Sequence, residues 1–269
     1  QKTVVVAYNK TKQGEYTKAV STIYKLEVTN PVVSLEVTTM PVITTYYYFN
    51  SDPIIFNTAG LVVTATYSDG TKTIIPNSSL QFGKITAASG SQSSLISFVG
   101  ATKTVSTNCP LTLVKGIGQV GNTDFSSAWW TAFSADYKVE SGSSKTITMY
   151  CYSDNISNWH SPCTILRKTD MTENAVVRMD NFGWGAGYDN NPNRINTADW
   201  NWETFTSNIS GSRVAITVTN HGNNTADVNY DVTYATGEKH FQKYAGITVD
   251  SSDLNLALVL EMSYLVIVE

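Results

Sequence analysis

Residues 61–75 read Leu-Val-Val-Thr-Ala-Thr-Tyr-Ser-Asp-Gly-Thr-Lys-Thr-Ile-Ile. Apolar and polar residues alternate before the Asp69-Gly70 pair, and a second strand-like run follows it, which is the pattern of two paired strands. The Asp-Gly pair favours a tight hairpin turn, because glycine readily adopts the positive φ that such a turn requires. This stretch therefore predicts an antiparallel β-hairpin, and Val33–Val37 adds a strand with the same alternation.

The strand pattern continues through the second half of the chain. It appears in residues 145–152, 164–167, 175–180, 213–220, 226–234, 256–260 and 264–268. Turns rich in glycine and asparagine separate several of these segments. One short helix is predicted, with Asp199 as its N-cap and Trp202, Phe205 and Ile209 on one face. The spacing predicts an all-β protein, with a β-sandwich or jelly roll in this half.

Composition divides the chain near residue 118. Residues 1–118 hold nine basic and five acidic residues, a net charge of +4, whereas residues 119–269 hold nine basic and 17 acidic residues, a net charge of -8. All six tryptophans lie in the second part. The glycine-rich stretch Lys115–Gly121 lies at this division, and such stretches commonly link domains. We therefore predict one domain at residues 34–118 and another at residues 119–269.

Three segments of the first domain, Leu35–Thr38, the tyrosine-rich Tyr46–Phe49 and Gly60–Thr71, resemble bacterial immunoglobulin-like domains of cell-surface proteins. The resemblance covers about residues 35–115 and breaks down at the longer, serine-rich Gln81–Ser97. It implies an immunoglobulin-like sandwich that acts as a spacer and holds a functional module away from the cell surface. Residues 1–33 are then expected to be the tail of a preceding immunoglobulin-like module or N-terminal strands.

An unusual loop region follows in the second domain. It contains Asp180-Asn-Phe-Gly-Trp-Gly-Ala-Gly-Tyr188 and, further on, Asp199-Trp-Asn-Trp202. The region combines flat aromatic rings with carboxylates, amides and a guanidinium, which are the groups that suit the apolar faces and hydroxyl edges of sugar rings. We predict ligand contacts for the aromatic and polar residues in and around it, namely Trp184, Tyr188, Trp200, Trp159, Arg178, Asp180 and Asn181.

Each of these residues also has a purely structural interpretation. Trp159 either contacts ligand or packs on its own polar loop. Arg178 and Asp180 alternate with Val177 and Met179, so they lie together on a face that either binds ligand or faces plain solvent. The alternation alone does not choose between these two surfaces.

The sequence also predicts burial for at least one of two adjacent tryptophans and for the three cysteines. Trp129 and Trp130 are expected to face opposite sides of a strand, which would bury at least one of them. The cysteines are expected to be small buried hydrophobic residues, with a bridge between Cys151 and Cys163 as the alternative and Cys109 left unpaired.

The second domain also matches a known kind of module in three segments, Asp124–Ser134, Val176–Gly185 and Glu261–Val266. In these segments it resembles the carboxy-terminal β-sandwich modules of surface glycan-binding and glycan-degrading proteins from Gram-negative gut bacteria. The resemblance implies a polysaccharide or oligosaccharide as the partner and an extracellular or outer cell-surface location. It does not identify the sugar.

The sequence predicts a non-catalytic monomer without cofactor or metal. The acidic net charge without a lysine or arginine cluster argues against nucleic-acid binding. The three histidines show no metal-ligand spacing. Asp189, Asn191 and Asn193 alternate like calcium ligands, but the run lacks the rest of a calcium-binding loop. Asp180 and Glu203 are the weak candidates for the carboxylate pair of a glycosidase.

Two other functions remain open. Tryptophans and tyrosines on the loops at one end of a sandwich also suit the headgroup region of a lipid bilayer, as in cytolysin-like β-sandwiches. The apolar stretch Leu254–Val268 is interrupted by polar residues, so it does not predict a membrane-spanning segment. The remaining alternative is an adhesin-type module that contacts another protein.

Overall fold

The computed structural model describes residues 2–8, 20–26, 29–154, 161–180, 182–196, 201–249 and 252–269. These residues form an N-terminal β-hairpin followed by two β-sandwiches, which confirms the predicted all-β class. Within the described ranges, no helix combines the length and the apolar character that crossing a bilayer requires.

The first sandwich contains a three-stranded and a four-stranded sheet. The hairpin before it consists of β1 (Lys2–Tyr8) and β2 (Val20–Leu26), which pair antiparallel. The strands of the first sandwich are β3 (Val32–Thr39), β4 (Thr45–Tyr48), β5 (Val62–Tyr67), β6 (Lys72–Ile75), β7 (Gln81–Phe82), β8 (Gly90–Val99) and β9 (Thr104–Lys115), with a 3-10 turn at Asn77–Ser79. The sheet orders are β3-β5-β6 and β4-β9-β8-β7.

The hairpin predicted from residues 61–75 is confirmed. Strands β5 and β6 pair antiparallel, and the turn between them is closed by a hydrogen bond from the Tyr67 backbone N–H to the Thr71 carbonyl at 2.9 Å. Gly70 has a φ of 84°, the conformation that explains the Asp-Gly pair. Val63 and Ala65 are fully buried, as the alternation along β5 requires.

The second sandwich is larger. Its strands are β10 (Gly118–Gly121), β11 (Tyr137–Val139), β12 (Ser144–Tyr152), β13 (Cys163–Arg167), β14 (Glu173–Arg178), β15 (Gly183–Trp184), β16 (Asn193–Asn196), β17 (Ser212–Asn220), β18 (Thr225–Thr233), β19 (Lys239–Thr248), β20 (Leu254–Val259) and β21 (Tyr264–Ile267). They form a seven-stranded sheet, β10-β21-β12-β17-β18-β19-β16, and a five-stranded sheet, β11-β20-β13-β14-β15. The main core lies between these two sheets and includes Met149, Val177, Ile216, Tyr230 and Leu258.

All seven strand segments predicted in this half are present, with ends that differ by at most two residues. The longest strand missed is β19, because its inward-facing positions include His240 and Gln242. Polar residues at buried positions hide the alternation on which the prediction depends.

The structure contains the predicted helix as α2 (Trp202–Asn208), after a short α1 (Ala186–Asp189). Phe205 and Ile209 are buried, as expected. The N-cap is Asn201 rather than Asp199, and its side-chain oxygen accepts a hydrogen bond from the Thr204 backbone N–H at 2.9 Å. Asp199 itself lies outside the described residues.

The glycine-rich stretch between the sandwiches is closely packed. The Gly116 N–H donates to the Tyr48 carbonyl and the Ile117 N–H donates to the Ile267 carbonyl, both at 2.7 Å. A β-carbon on Gly116 would lie 2.4 Å from Val266 Cγ1, and one on Gly121 would lie 2.1 Å from the Ser263 carbonyl oxygen. Glycine is therefore required here for close approach of the backbone to its neighbours.

A series of aromatic rings crosses from one sandwich to the other. Tyr46 stacks on Tyr152 with 6.1 Å between ring centroids, Tyr152 on Tyr264 with 4.8 Å, and Tyr264 on Phe125 with 5.8 Å. We call these four residues the tyrosine stack. The Tyr47 backbone N–H also donates a 2.7 Å hydrogen bond to the Tyr152 hydroxyl. The two sandwiches therefore share a buried interface made of residues from both.

Candidate ligand-binding surface

The five-stranded sheet carries apolar residues on both faces. Leu166, Val177 and Leu258 face the main core. The alternate positions on the opposite face form a small second cluster that consists of Cys163, Ile165, Val176, Ala257 and Val259. An outward face of this kind needs a cover, because its apolar residues would otherwise contact water.

Four aromatic side chains lie over this face. We call them the aromatic patch: Trp129, Trp130, Phe133 and Trp184. The ring of Trp130 contacts the other three, with centroid distances of 5.4 Å to Trp129, 5.5 Å to Trp184 and 5.6 Å to Phe133. Trp129 and Trp184 approach edge to face at 6.3 Å. Trp129, Phe133 and Trp184 pack on the apolar cluster below.

Trp130 is the exposed member of the patch, with 38% of its surface accessible. Its backbone has a φ of 56°, which is unfavourable for a bulky residue that is not glycine. The turn that imposes this conformation is held by Glu261, whose Oε2 accepts hydrogen bonds from the N–H groups of Ala128 at 3.1 Å and Trp129 at 2.6 Å. The backbone therefore adopts an unfavourable conformation at Trp130, the residue whose indole lies over its aromatic neighbours.

The expectation that a strand would bury one of the two adjacent tryptophans is wrong. Trp129 and Trp130 lie in a turn, so strand alternation does not apply, and Trp129 is half-buried while Trp130 is exposed. Glu261 was also missed as a positioning residue. A carboxylate that accepts hydrogen bonds from two backbone N–H groups 133 and 132 residues away gives no local pattern in the sequence, since the contact depends on tertiary structure.

Two of the predicted ligand contacts, Trp184 and Tyr188, lie on opposite sides of β15. Trp184 pairs with Val176 and faces outward with the patch. Gly183 pairs with Val177, which faces the main core, and a β-carbon on Gly183 would lie 2.5 Å from the Tyr188 ring. Tyr188 is half-buried against the core, 6.1 Å from the Tyr244 ring, and burial raises its pKa. The structure therefore does not bring these two rings onto one surface.

Arg178 and Asp180 share the outward face, and the predicted alternation with Val177 and Met179 is confirmed, since those two residues are in the main core. Arg178 and Asp180 form an ion pair with each other, and their side chains are only 11% and 4% exposed. Burial raises the pKa of Asp180, and the neighbouring guanidinium opposes that shift. The Arg178 guanidinium also lies 5.7 Å from the ring centroid of Phe182, which is 64% exposed. Burial of the ion pair contradicts the alternative that these two side chains face plain solvent, and an exposed ring lies beside them.

Other predicted residues fall in different places. Trp159, Asn181 and Trp200 lie outside the described residues. Cys109, Cys151 and Cys163 are free thiols and buried, as expected. Cys151 belongs to the main core and Cys163 to the outward cluster, so the alternative bridge between them is not present.

Within the described ranges no three histidine, cysteine, aspartate or glutamate side chains gather as a metal site would require. No model of a known protein family matches the chain, and a search of curated proteins found no significant match. The surface must therefore be interpreted from its own geometry.

Proposed function

We propose that the protein is a non-catalytic surface or secreted protein that binds a polysaccharide through the aromatic patch. The observation that supports this most directly is the position of Trp130, an exposed indole held by a strained turn at the centre of three other aromatic rings. Sugar rings stack on such surfaces through their C–H faces. The first sandwich then serves as the spacer that presents this surface.

The surroundings of the patch add one exposed aromatic ring, and the charged groups there are paired with each other. The exposed ring of Phe182 extends the apolar surface past Trp184, and Arg178 and Asp180 lie on the same outward face. Because those two charges neutralise each other, the surface favours a neutral glycan over a charged one. Arg167 stands over the Phe133 ring at 5.2 Å and is paired with Asp136 at 2.9 Å, so its charge is balanced as well.

The test is retention of the protein in affinity gels cast with neutral soluble polysaccharides. We expect Trp130→Ala to weaken binding about tenfold or more, since an aromatic stacking surface is removed at the exposed centre of the patch. Its free energy of unfolding should change by less than about 1 kcal/mol, because the ring is the most solvent-exposed of the patch. Phe49→Ala is the matched control, as Phe49 is an aromatic residue of similar exposure (41%) on the other sandwich.

Retention of Trp130→Ala equal to that of the wild type on a polysaccharide that binds the wild type would contradict the proposal. A parallel assay with zwitterionic vesicles addresses the membrane alternative, which the sequence predicts from tryptophans and tyrosines on loops. The exposed apolar side chains of Phe182 and Met262 in the same sandwich favour it as well. Vesicle binding that is lost in Trp130→Ala, without any glycan retention, would replace the polysaccharide by a lipid surface.

A further inference from the structure

A pocket lies between the two sandwiches. It has a volume of about 340 Å³ and is lined by residues of both, among them Thr45, Tyr47, Tyr150, Arg213 and Thr233. This volume is within the range of about 300–1,000 Å³ that small-molecule sites occupy. None of its residues belongs to the aromatic patch.

The floor of the pocket is a row of side chains across three neighbouring strands of the seven-stranded sheet. Tyr150 on β12 pairs with Arg213 on β17, which pairs with Thr233 on β18. The next residues along these strands, such as Met149 and Val214, point into the main core, so the row faces outward. The pairing of three adjacent strands therefore fixes the backbone from which the Arg213 side chain extends.

The wall of the pocket comes from the first sandwich. Tyr47 stacks on Tyr150 with 3.7 Å between ring centroids and an interplanar angle of 11°. Burial and a hydrogen bond with Tyr150 raise the pKa of Tyr47 to about 12, and the charge of Arg213 opposes the shift. Thr45 lies two residues before Tyr47 on β4 and therefore on the same side.

Among the described residues that line this pocket, Arg213 is the only cation. Its Nη2 donates to the Thr148 hydroxyl at 3.3 Å, and it forms no ion pair with any carboxylate of the described ranges. Asp231, two residues from Thr233 on β18, accepts instead from the Asn229 side chain at 2.7 Å. A half-buried guanidinium without a carboxylate has donors left for an anionic ligand.

We propose that this pocket binds a carboxylate-bearing sugar, a uronate residue, with the carboxylate on Arg213 and the ring hydroxyls on the threonine and tyrosine hydroxyls. A planar guanidinium matches a carboxylate with two parallel hydrogen bonds. The neutral hydroxyl groups around it suit a polyol better than an apolar acid. The site is independent of the aromatic patch and of the neutral glycan proposed there.

The experiment is an NMR titration of the full chain with sodium glucuronate, with methyl glucoside and inorganic phosphate as the other two probes. Glucuronate should bind and shift the signals of Arg213 and its neighbours, while methyl glucoside should bind at least about tenfold more weakly, because it lacks the charged group. Arg213→Gln should weaken glucuronate binding about tenfold or more, and Arg213→Lys should weaken it less, since the charge is kept without the planar fork.

Arg194→Gln removes the same charge from an exposed position on β16 of the same sheet and should leave glucuronate binding unchanged. Equal loss in Arg194→Gln and Arg213→Gln would reduce the effect to net charge and overturn the proposal. Phosphate binding as tight as glucuronate binding would make this a general anion site and overturn the assignment to a sugar acid. If Arg213→Gln fails to fold, the proposal is tested by glucuronate binding to Arg213→Lys and by whether the signals that shift in the wild type belong to Arg213 and its neighbours. Trp130→Ala should retain glucuronate binding, so the two proposals can fail separately.

Discussion

The tyrosine stack and the aromatic patch consist of the same class of side chain, but they differ in burial and in the elements that they contact. In the stack, Tyr46, Tyr152 and Tyr264 are almost fully buried, and two of their hydroxyls accept backbone hydrogen bonds. In the patch, Trp130 stands exposed on top of rings that cover the outward face of a sheet. The stack joins the two sandwiches, whereas the patch leaves its central ring partly exposed to solvent.

The comparison shows that aromatic content alone does not identify a binding surface. A buried ring with a satisfied hydroxyl contributes to stability, and its removal leaves a cavity. A ring held in an unfavourable backbone conformation and left partly exposed contributes little to stability, and its position needs another reason. Mutations in the tyrosine stack should therefore lower stability with little effect on binding. Mutation of the exposed ring of the aromatic patch should weaken binding with little effect on stability.

The largest expected effect is at the stack. Tyr152→Ala should lower the free energy of unfolding by about 3–5 kcal/mol, since it removes a buried ring that contacts both sandwiches. Tyr152→Phe keeps the ring and loses only the acceptor for the Tyr47 N–H, at a cost of about 1 kcal/mol. Denaturant unfolding measures both, and glycan retention by the folded protein should be unaffected. Equal costs for the two variants would show that the hydroxyl, and not the ring, holds the joint.

The stack should also make the joint sensitive to alkali, whereas indoles do not titrate. Burial raises the pKa of Tyr46 from 10.0 to about 12. Between these values the unfolded chain loses a proton that the folded chain retains, so stability present below pH 10 is lost as the pH rises toward 12. This tyrosine should account for roughly 2–3 kcal/mol of the loss. Unfolding curves from pH 9 to 12 should therefore be flatter for Tyr46→Phe than for the wild type, and identical slopes would exclude Tyr46 as a cause.

The smallest expected effect is a difference between two glycine variants, one of them where the backbone enters the second sandwich. Gly121→Ala places a β-carbon 2.1 Å from the Ser263 carbonyl oxygen at a φ of 80°. Gly237→Ala is the matched control, because its φ is 92° but nothing lies within 4 Å of the added carbon. Each variant should lose about 1–2 kcal/mol from the left-handed backbone, and Gly121→Ala about 1–2 kcal/mol more from the clash. Thermal unfolding of both variants gives the difference, and equal losses would mean that strand β10 adjusts without cost.

The strands could be predicted because burial on one face of a sheet imposes an alternation that any reader of the sequence can see. β5 and β17 show it, and both are present. β19 was not predicted because His240 and Gln242 occupy buried positions where the pattern requires apolar residues.

The candidate surface could be predicted only in part. Trp184 was recognised from the aromatic and glycine-rich loop around it, and it does lie in the patch. Tyr188, four residues on, is half-buried against the main core behind β15. Trp130, the exposed centre of the patch, lies in a turn to which the distant Glu261 contributes two hydrogen bonds. Arg213 becomes a candidate only when Tyr47 of the other sandwich lies beside it.

The sequence by itself determined which segments form strands, where the tryptophans concentrate and where the charge changes sign, because these follow from local alternation and composition. The tertiary structure alone decided which aromatic rings are buried between the sandwiches and which one remains exposed on the outward sheet. Those outcomes depend on contacts between residues far apart in the chain, and no short stretch of sequence contains both partners of such a contact.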